Sequence, residues 1–239
     1  MRSLGVPRPV KMASRASLST GQRARRIKRG QGFVDEVYEL IRADIMSLRI
    51  APDTRISIDS LARQLGVSQT PIREALSRLE ATGLVIKQHF VGYCSAPQLN
   101  RQQLDELYEL RLLLEPYAAR CAAERMNEEE LRAVAELARR MEPANSRTSY
   151  DRFAVQDSEL HDLIAAGCRN QLVRDALGKL HTHLHIFRLR FHSEVTKEAY
   201  AEHAQLVAAL AQRKPAEAAE AMRAHIEKSY QRLKAFTRD

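Results

Sequence analysis

Asp157 and His161 stand four residues apart, so on a helix both side chains leave the same face, where a carboxylate and an imidazole can meet one cation. His203 lies one turn before Leu206 and Val207, and His225 one turn after Ala221 and Met222, which sets both on apolar, inward faces. Four potential ligands therefore converge on the interior of a helical domain. A lone inward histidine is ordinarily a hydrogen-bonded core residue; three of them with an aspartate make a ligand set for a divalent ion. Zinc is the first expectation, with nickel and manganese as alternatives, because His-rich sites follow affinity order and availability. By contrast His181, His183, His185 and His192 crowd one segment with mixed orientation and read mostly as surface residues, although His181 can line a cavity.

The same face argument places Arg111 among Leu104, Leu107, Tyr108 and Leu114, pointing inward. An unpaired charge there is costly, so the guanidinium needs an anion. Two are available to it: an internal acid such as Glu115, which has a slight advantage, or the carboxylate of a bound ligand. A metal hydrolase built on the same Asp and His residues is the competing function. It lacks a His-Glu-x-x-His, a Gly-x-Ser-x-Gly or a Gly-rich phosphate loop, and four protein ligands leave little room for an activated water. A metal sensor, or a constitutive DNA-binding module with a structural ion, are further alternatives.

A second constellation lies upstream. Ser57, an N-cap, is followed by Asp59 and by Leu61, Ala62 and Leu65 on one face, closed by Gly66. Ser68 then caps a second stripe of Ile72, Ala75, Leu76 and Leu79 that stops at Gly83. Two short helices across a Gly-Val-Ser turn make a helix-turn-helix, whose second helix offers its first residues to the major groove of DNA. Thr70, Arg73, Glu74 and Ser77 face away from the apolar stripe, with Gln69 at the first turn. Arg can bond guanine and Gln adenine bidentately, while Thr and the helix amino terminus suit phosphate. Leu84 to Ile86 and Tyr93 to Ser95 read as strands around a tip at His89 to Gly92, which together form a wing. A scaffold helix precedes these elements, with Val34, Val37, Ile41, Ile45 and Leu48 on one face and an end before Pro52.

The run Ile58-Asp59-Ser60-Leu61-Ala62-Arg63-Gln64-Leu65-Gly66-Val67-Ser68-Gln69-Thr70-Pro71-Ile72-Arg73-Glu74-Ala75-Leu76 and its continuation to Val85 resemble the GntR family of bacterial regulators. The resemblance implies DNA contact for Thr70 and Arg73 and places His89 and Gly92 in a wing that enters the minor groove. Gln69 stands where the family often has Arg, and Val91 where a basic residue commonly precedes the glycine. Residues 100 to 235 resemble the FCD effector domain of FadR-type members, in its six-helix, VanR-like form. Glu109-Leu110-Arg111, Glu115-Pro116, Phe153, Asp157 to His161, Asn170, Glu202-His203 and Met222 to His225 carry it. It implies a divalent metal on Asp157, His161, His203 and His225, and a carboxylate pocket beside Arg111 and Asn170.

These sites need elements to hold them. A chain of 239 residues, 44% hydrophobic with only 9 Gly and 8 Pro, implies two domains and mostly helix. The expected fold is mainly α: a winged helix-turn-helix of three helices and a small β-wing over 31–96, then an all-α antiparallel bundle over 97–239. In the bundle, Asn127 with Glu130 forms a capping box, Ser149 and Asn170 are N-cap candidates, and Pro215 suits a first turn. The net charge of +8 is concentrated in residues 1–30, which hold nine Lys or Arg and no acid. That segment reads as a flexible basic tail, attracted to phosphate or merely solvated, and not as a signal peptide. Widely spaced Cys94, Cys121 and Cys168 fit a reducing cytosol, and no apolar stretch of about 18 residues is present. The reading is thus a cytoplasmic, nucleoid-associated bacterial repressor. It binds double-stranded DNA at a pseudo-palindromic operator as a homodimer, and a small organic acid modulates it.

Overall fold

The computed structural model describes residues 33–180 and 193–234. The basic segment 1–30 and the histidines at 181, 183, 185 and 192 lie outside the described residues. The chain divides into two compact units, Met1–Pro97 and Gln98–Asp239.

In the first unit, α1 spans Phe33–Met46 with Asp35 and Glu36 in its first turn, where the helix dipole favours them. Val37, Ile41 and Ile45 are buried against α3. The stripe does not reach Leu48 as its spacing suggests: the helix stops at Met46, and Leu48 takes a left-handed φ of 58° with its side chain part-exposed. Next, α2 (Ile58–Leu65) is capped by Ser57, whose hydroxyl accepts the Ser60 N–H, and ends on Gly66 at φ 68°. The left-handed step at Gly66 is one that residues with a Cβ rarely take, and it turns the chain into α3 (Gln69–Ala81). Ile72, Ala75, Leu76 and Leu79 of α3 are buried, as their spacing implies.

The wing is a two-stranded antiparallel sheet, β1 (Val85–Gln88) and β2 (Gly92–Ser95), paired Val85 to Ser95 through Gln88 to Gly92. A short segment before α2 joins it, which periodicity alone does not reveal. Ile56 N–H donates to Tyr93 O at 2.8 Å, Ser95 N–H to Thr54 O at 2.9 Å, and Arg55 bridges Cys94. Ser95 is fully buried, and its hydroxyl donates to Ala51 O at 2.5 Å while accepting from Thr54 N–H at 3.0 Å. The wing base is thereby locked to the loop that launches α2.

The second unit contains six helices among the described residues. They are α4 (Arg101–Arg125), α5 (Glu128–Arg140), α6 (Arg147–Gly167), α7 (Gln171–Lys179), α8 (Ser193–Ala211) and α9 (Pro215–Leu233). Reciprocal capping boxes start the first three: Asn100 with Gln103, Asn127 with Glu130, and Ser146 with Ser149. Ser149 is therefore the third helical residue and not the cap expected of it; Ser146 satisfies the free N–H groups because its own backbone is still extended.

The helices at the two ends of this unit, α4 and α9, pack antiparallel on each other. Tyr108 and Ser229 share a hydrogen bond of 2.7 Å, and Arg101 and Asp105 both bind the Tyr230 hydroxyl. α8 and α9 form an antiparallel hairpin, whereas α4 and α6 run the same way, with α5 between them in sequence. Met126 closes that corner: a Cβ on Gly167 would lie 2.6 Å from Met126 Cγ, so a larger residue there would require the Met126 side chain to shift. No helix of the described residues is long and apolar enough to cross a membrane.

Candidate metal centre and nucleic-acid interface

The second unit brings three histidines together. His161 on α6, His203 on α8 and His225 on α9 are all buried, and each offers a ligand atom within 4.8 Å of the others. Their ring centroids are 4.6–5.6 Å apart. Asp157, one turn before His161, puts Oδ1 3.3 Å from His203 Nε2. All four residues singled out by helical spacing therefore meet, with the aspartate at the His203 edge of the group.

Two relays fix the rings. On one side Arg111 Nε donates to Glu115 Oε1 at 2.5 Å, and Glu115 Oε2 lies 2.6 Å from His161 Nδ1. On the other, Arg232 binds Glu202 with both terminal nitrogens, at 2.7 and 2.9 Å, and Glu202 Oε2 lies 2.8 Å from His225 Nδ1. A carboxylate on Nδ1 holds the proton there and leaves Nε2 as the lone-pair nitrogen, the usual arrangement behind a metal-bound histidine. His203 is almost fully buried; its Nδ1 has no hydrogen-bond partner among the described residues, and its Nε2 faces only the Asp157 carboxylate at 3.3 Å, outside hydrogen-bond geometry. A buried ring nitrogen of that kind is costly unless something else binds it.

The electrostatics match. Burial would raise the Glu115 carboxyl, but Arg111 and His161 outweigh it and hold it well below the ordinary range. Glu202 is likewise held at about 2 against its own burial, by His225 and Arg232. His203 is pushed well down by burial and then by its neighbour His225, and His225 is lowered by burial despite Glu202. His161 goes the other way: burial lowers it, but Glu115 more than compensates. Neutral His203 and His225 beside ionised carboxylates fit a divalent cation, which would compete at His161 with the proton that Glu115 favours.

Arg111 is only 1% exposed, and its anion is the internal one, Glu115. Asn170 is the N-cap of α7, its Oδ1 accepting the Val173 N–H at 3.3 Å. The residues that spacing missed are Glu202 and Arg232 as a working pair. Arg232 stands seven positions after His225, two turns on, which was a readable signal; Glu202 adjoins a ligand in sequence and entered only as part of the FCD resemblance. The two relays differ in setting, since Arg111 and Glu115 are sealed inside, while Glu202 and Arg232 border an open groove of about 940 Å³ between α8 and α9.

In the first unit Gln69, Thr70, Arg73, Glu74 and Ser77 are all exposed along α3. Asp59 Oδ1 accepts from Gln69 Nε2 at 2.5 Å, and Gln69 Oε1 accepts from Arg73 Nη2 at 3.2 Å, so two groove candidates are linked before any ligand arrives. Arg78, on the same helix, is instead tied to Asp35 at 2.6 Å and stacked 4.5 Å over Tyr38. At the wing tip His89 is exposed, Phe90 is 95% exposed at φ 60°, and Gly92 takes φ 96° to re-enter the sheet.

Residues 33–93 match the family described as bacterial regulatory proteins of the gntR family, and residues 106–228 match the FCD domain. Similar proteins include the HTH-type transcriptional regulator YdhC of Bacillus subtilis, 35% identical over 83 residues, which are 35% of this chain and 37% of that protein. The Nta operon transcriptional regulator of Aminobacter aminovorans is 43% identical over 75 residues, 31% of this chain and 35% of its own length. This chain thus spans between about a fifth and a half of the length of the curated relatives it matches. Among solved structures, E. coli McbR/YncC has a TM-score of 0.63 at 20% identity, over 84% of this chain and 96% of the other. A GntR transcriptional regulator from Rhodococcus sp. RHA1 has a TM-score of 0.65 at 16% identity, over 86% and 99%. At such identities the likeness concerns the fold.

Proposed function

This chain belongs to the GntR family of bacterial regulatory proteins, in the group that carries an FCD domain, and we propose that it is a cytoplasmic transcriptional repressor that binds DNA as a homodimer. The observation that carries this reading is the exposed amino-terminal face of α3, where Asp59 orders Gln69 and Gln69 orders Arg73. Arg73 is the base-reading candidate, with Gln69 beside it; Thr70 and Ser77 suit phosphate, and His89 and Gly92 shape the wing for the adjacent minor groove. A single winged helix reads few base pairs, so two copies on a short pseudo-palindrome supply the specificity. The experiment is titration of operator DNA with wild type and Arg73→Ala: the variant should lose sequence preference at one base pair per half-site. Unchanged preference would remove Arg73 from readout.

The helical unit is the sensory part. Asp157, His161, His203 and His225 would hold a divalent ion, zinc first, and when bound it would add positive charge that favours an anionic ligand. A small organic acid is the effector class that suits that charge, with Arg111 and Asn170 as its protein contacts. Release of DNA requires the acid to bind the DNA-incompetent arrangement more tightly, by about 1.4 kcal/mol for a tenfold loss of operator affinity. One observation favours a second reading, a sensor of the metal itself: the Arg111 charge is already neutralised by Glu115. Operator titrations with chelator, with metal, and with metal plus a panel of organic acids separate the two readings.

A further inference from the structure

The tip of the wing carries the most exposed large apolar side chain of the described residues, Phe90, on a left-handed backbone at φ 60°. A bulky residue at positive φ is a steric outlier that glycine or asparagine would relieve. Nothing in the free unit offsets either cost. At 95% exposure the ring lies outside any core, and its ring neighbour is His89, itself exposed, with 3.7 Å between centroids. A strained backbone that presents an apolar ring to solvent points to a partner met outside the chain.

What surrounds the tip selects that partner. Val91 N–H donates to Gln88 O at 3.2 Å and closes the loop; below it Lys87 pairs with Tyr93, its Nζ 5.9 Å over the Tyr93 ring. Tyr93 O also accepts the Ile56 N–H, so the hairpin is braced as far as the second pair from its loop, and His89, Phe90 and Val91 project beyond it. Residues 81–104 contain no Asp or Glu. An apolar point on a braced ribbon, flanked by Lys87 and free of carboxylates in sequence, suits a polyanion whose phosphates enclose stacked apolar rings. Only residues 82–84 separate β1 from α3, so the helix that presents Gln69 and Arg73 leads directly into the strand that carries the point.

We propose that Phe90 is a wedge: on the operator it enters between two stacked base pairs from the minor groove, unstacks them and bends the duplex. The chain then reads the deformability of a step to which it makes no hydrogen bond. The inference rests on the DNA-binding reading and adds to it a second kind of readout, separate from that of Arg73. Pyrimidine–purine steps, TA and CA/TG, unstack most easily, so one of them should stand under the wing. The left-handed turn at Phe90 sets the ring in place before DNA arrives, so no loop has to reorder on binding.

The probe is an operator duplex selected by the wild-type full chain from a random-sequence pool. Phe90→Asn suits the left-handed backbone, so its thermal midpoint should not fall. It should nonetheless bind the operator at least about fivefold more weakly, the lower end of what one stacked aromatic contributes, and leave it straighter, read by energy transfer between dyes on the duplex ends. The chain has no Trp, so Phe90→Trp supplies a single indole, whose emission should be quenched on the operator by stacking against bases. Exchanging the pyrimidine–purine step for AA should weaken the wild type and leave Phe90→Asn unaffected. Wild-type affinity and bend in Phe90→Asn, or an unquenched indole in operator-bound Phe90→Trp, would overturn the wedge and leave the DNA-binding reading intact. A Phe90→Asn defect confined to binding of phosphatidylglycerol vesicles would assign the ring to a lipid surface and overturn it too. Recovery of no preferred duplex from the pool would overturn both readings.

Discussion

The two sites keep their polar groups in opposite conditions. On α3 the candidate DNA contacts are exposed, joined by two hydrogen bonds, and peripheral to a core of Ile72, Ala75, Leu76 and Leu79 that folds without them. In the helical unit, Arg111, Glu115, Asp157 and three histidines are buried together, each depending on the next. A surface site can change its chemistry residue by residue at little structural cost. A buried site cannot, because removing one member strands its partner in a medium that does not solvate it. Recognition and sensing should therefore respond differently to mutation.

The largest expected effect is Arg111→Ala. It leaves the Glu115 carboxylate buried with one partner fewer, and breaking such a pair costs about 3–5 kcal/mol. Urea denaturation of the helical unit should show a loss of this size, together with loss of metal; a stability change under about 1 kcal/mol would mean that the relay relaxes freely and that the contrast between the sites is false. Next is Glu202→Gln, which keeps the shape and removes the charge that orients His225. Metal affinity should fall by roughly 10–100-fold in competition with a chelating dye. His203→Ala should abolish most binding, from about one ion per chain. Arg73→Ala should cost about 1–3 kcal/mol of discrimination at one base pair, with thermal stability altered by no more than about 0.5 kcal/mol. A marked drop in stability would show that α3 is not the independent surface described. The smallest effect is removal of residues 1–30: operator choice should stay the same while the salt dependence of binding becomes shallower, and equal slopes would show that the tail is idle.

Legibility in the sequence follows the same divide. Local rules were sufficient wherever a residue answers to its own helix. Ser57 and Gly66 bound α2, Asn127 and Glu130 cap α5, and the four-residue step from Asp157 to His161 does align both on one face. The choice of Glu115 as the anion for Arg111 was also within reach, because the two are one turn apart. Contacts between elements were not. Nothing in the segment Thr54–Ile56 announces that it will lie along β2, and nothing near Glu202 announces an arginine thirty positions later. Leu48 continues a periodic stripe on paper, but the backbone turns left-handed there and the stripe ends. Asn170 shows a further limit: its cap role was legible, and a second role beside a ligand needs a neighbour that one sequence does not name.

The pairing of α4 with α9 has a consequence in time. Tyr108 and Ser229 touch although 121 residues of chain separate them, and α4 also supplies Glu115 to a cluster completed by His225. During synthesis, at about 5–20 residues per second, the winged unit has all its parts several seconds before α4 meets its closing partner. Through that interval the side of α4 that carries Tyr108 toward α9 stands open. A nascent chain of this protein can thus hold a finished reading head on an unfinished body, and the body closes only once α9 has emerged.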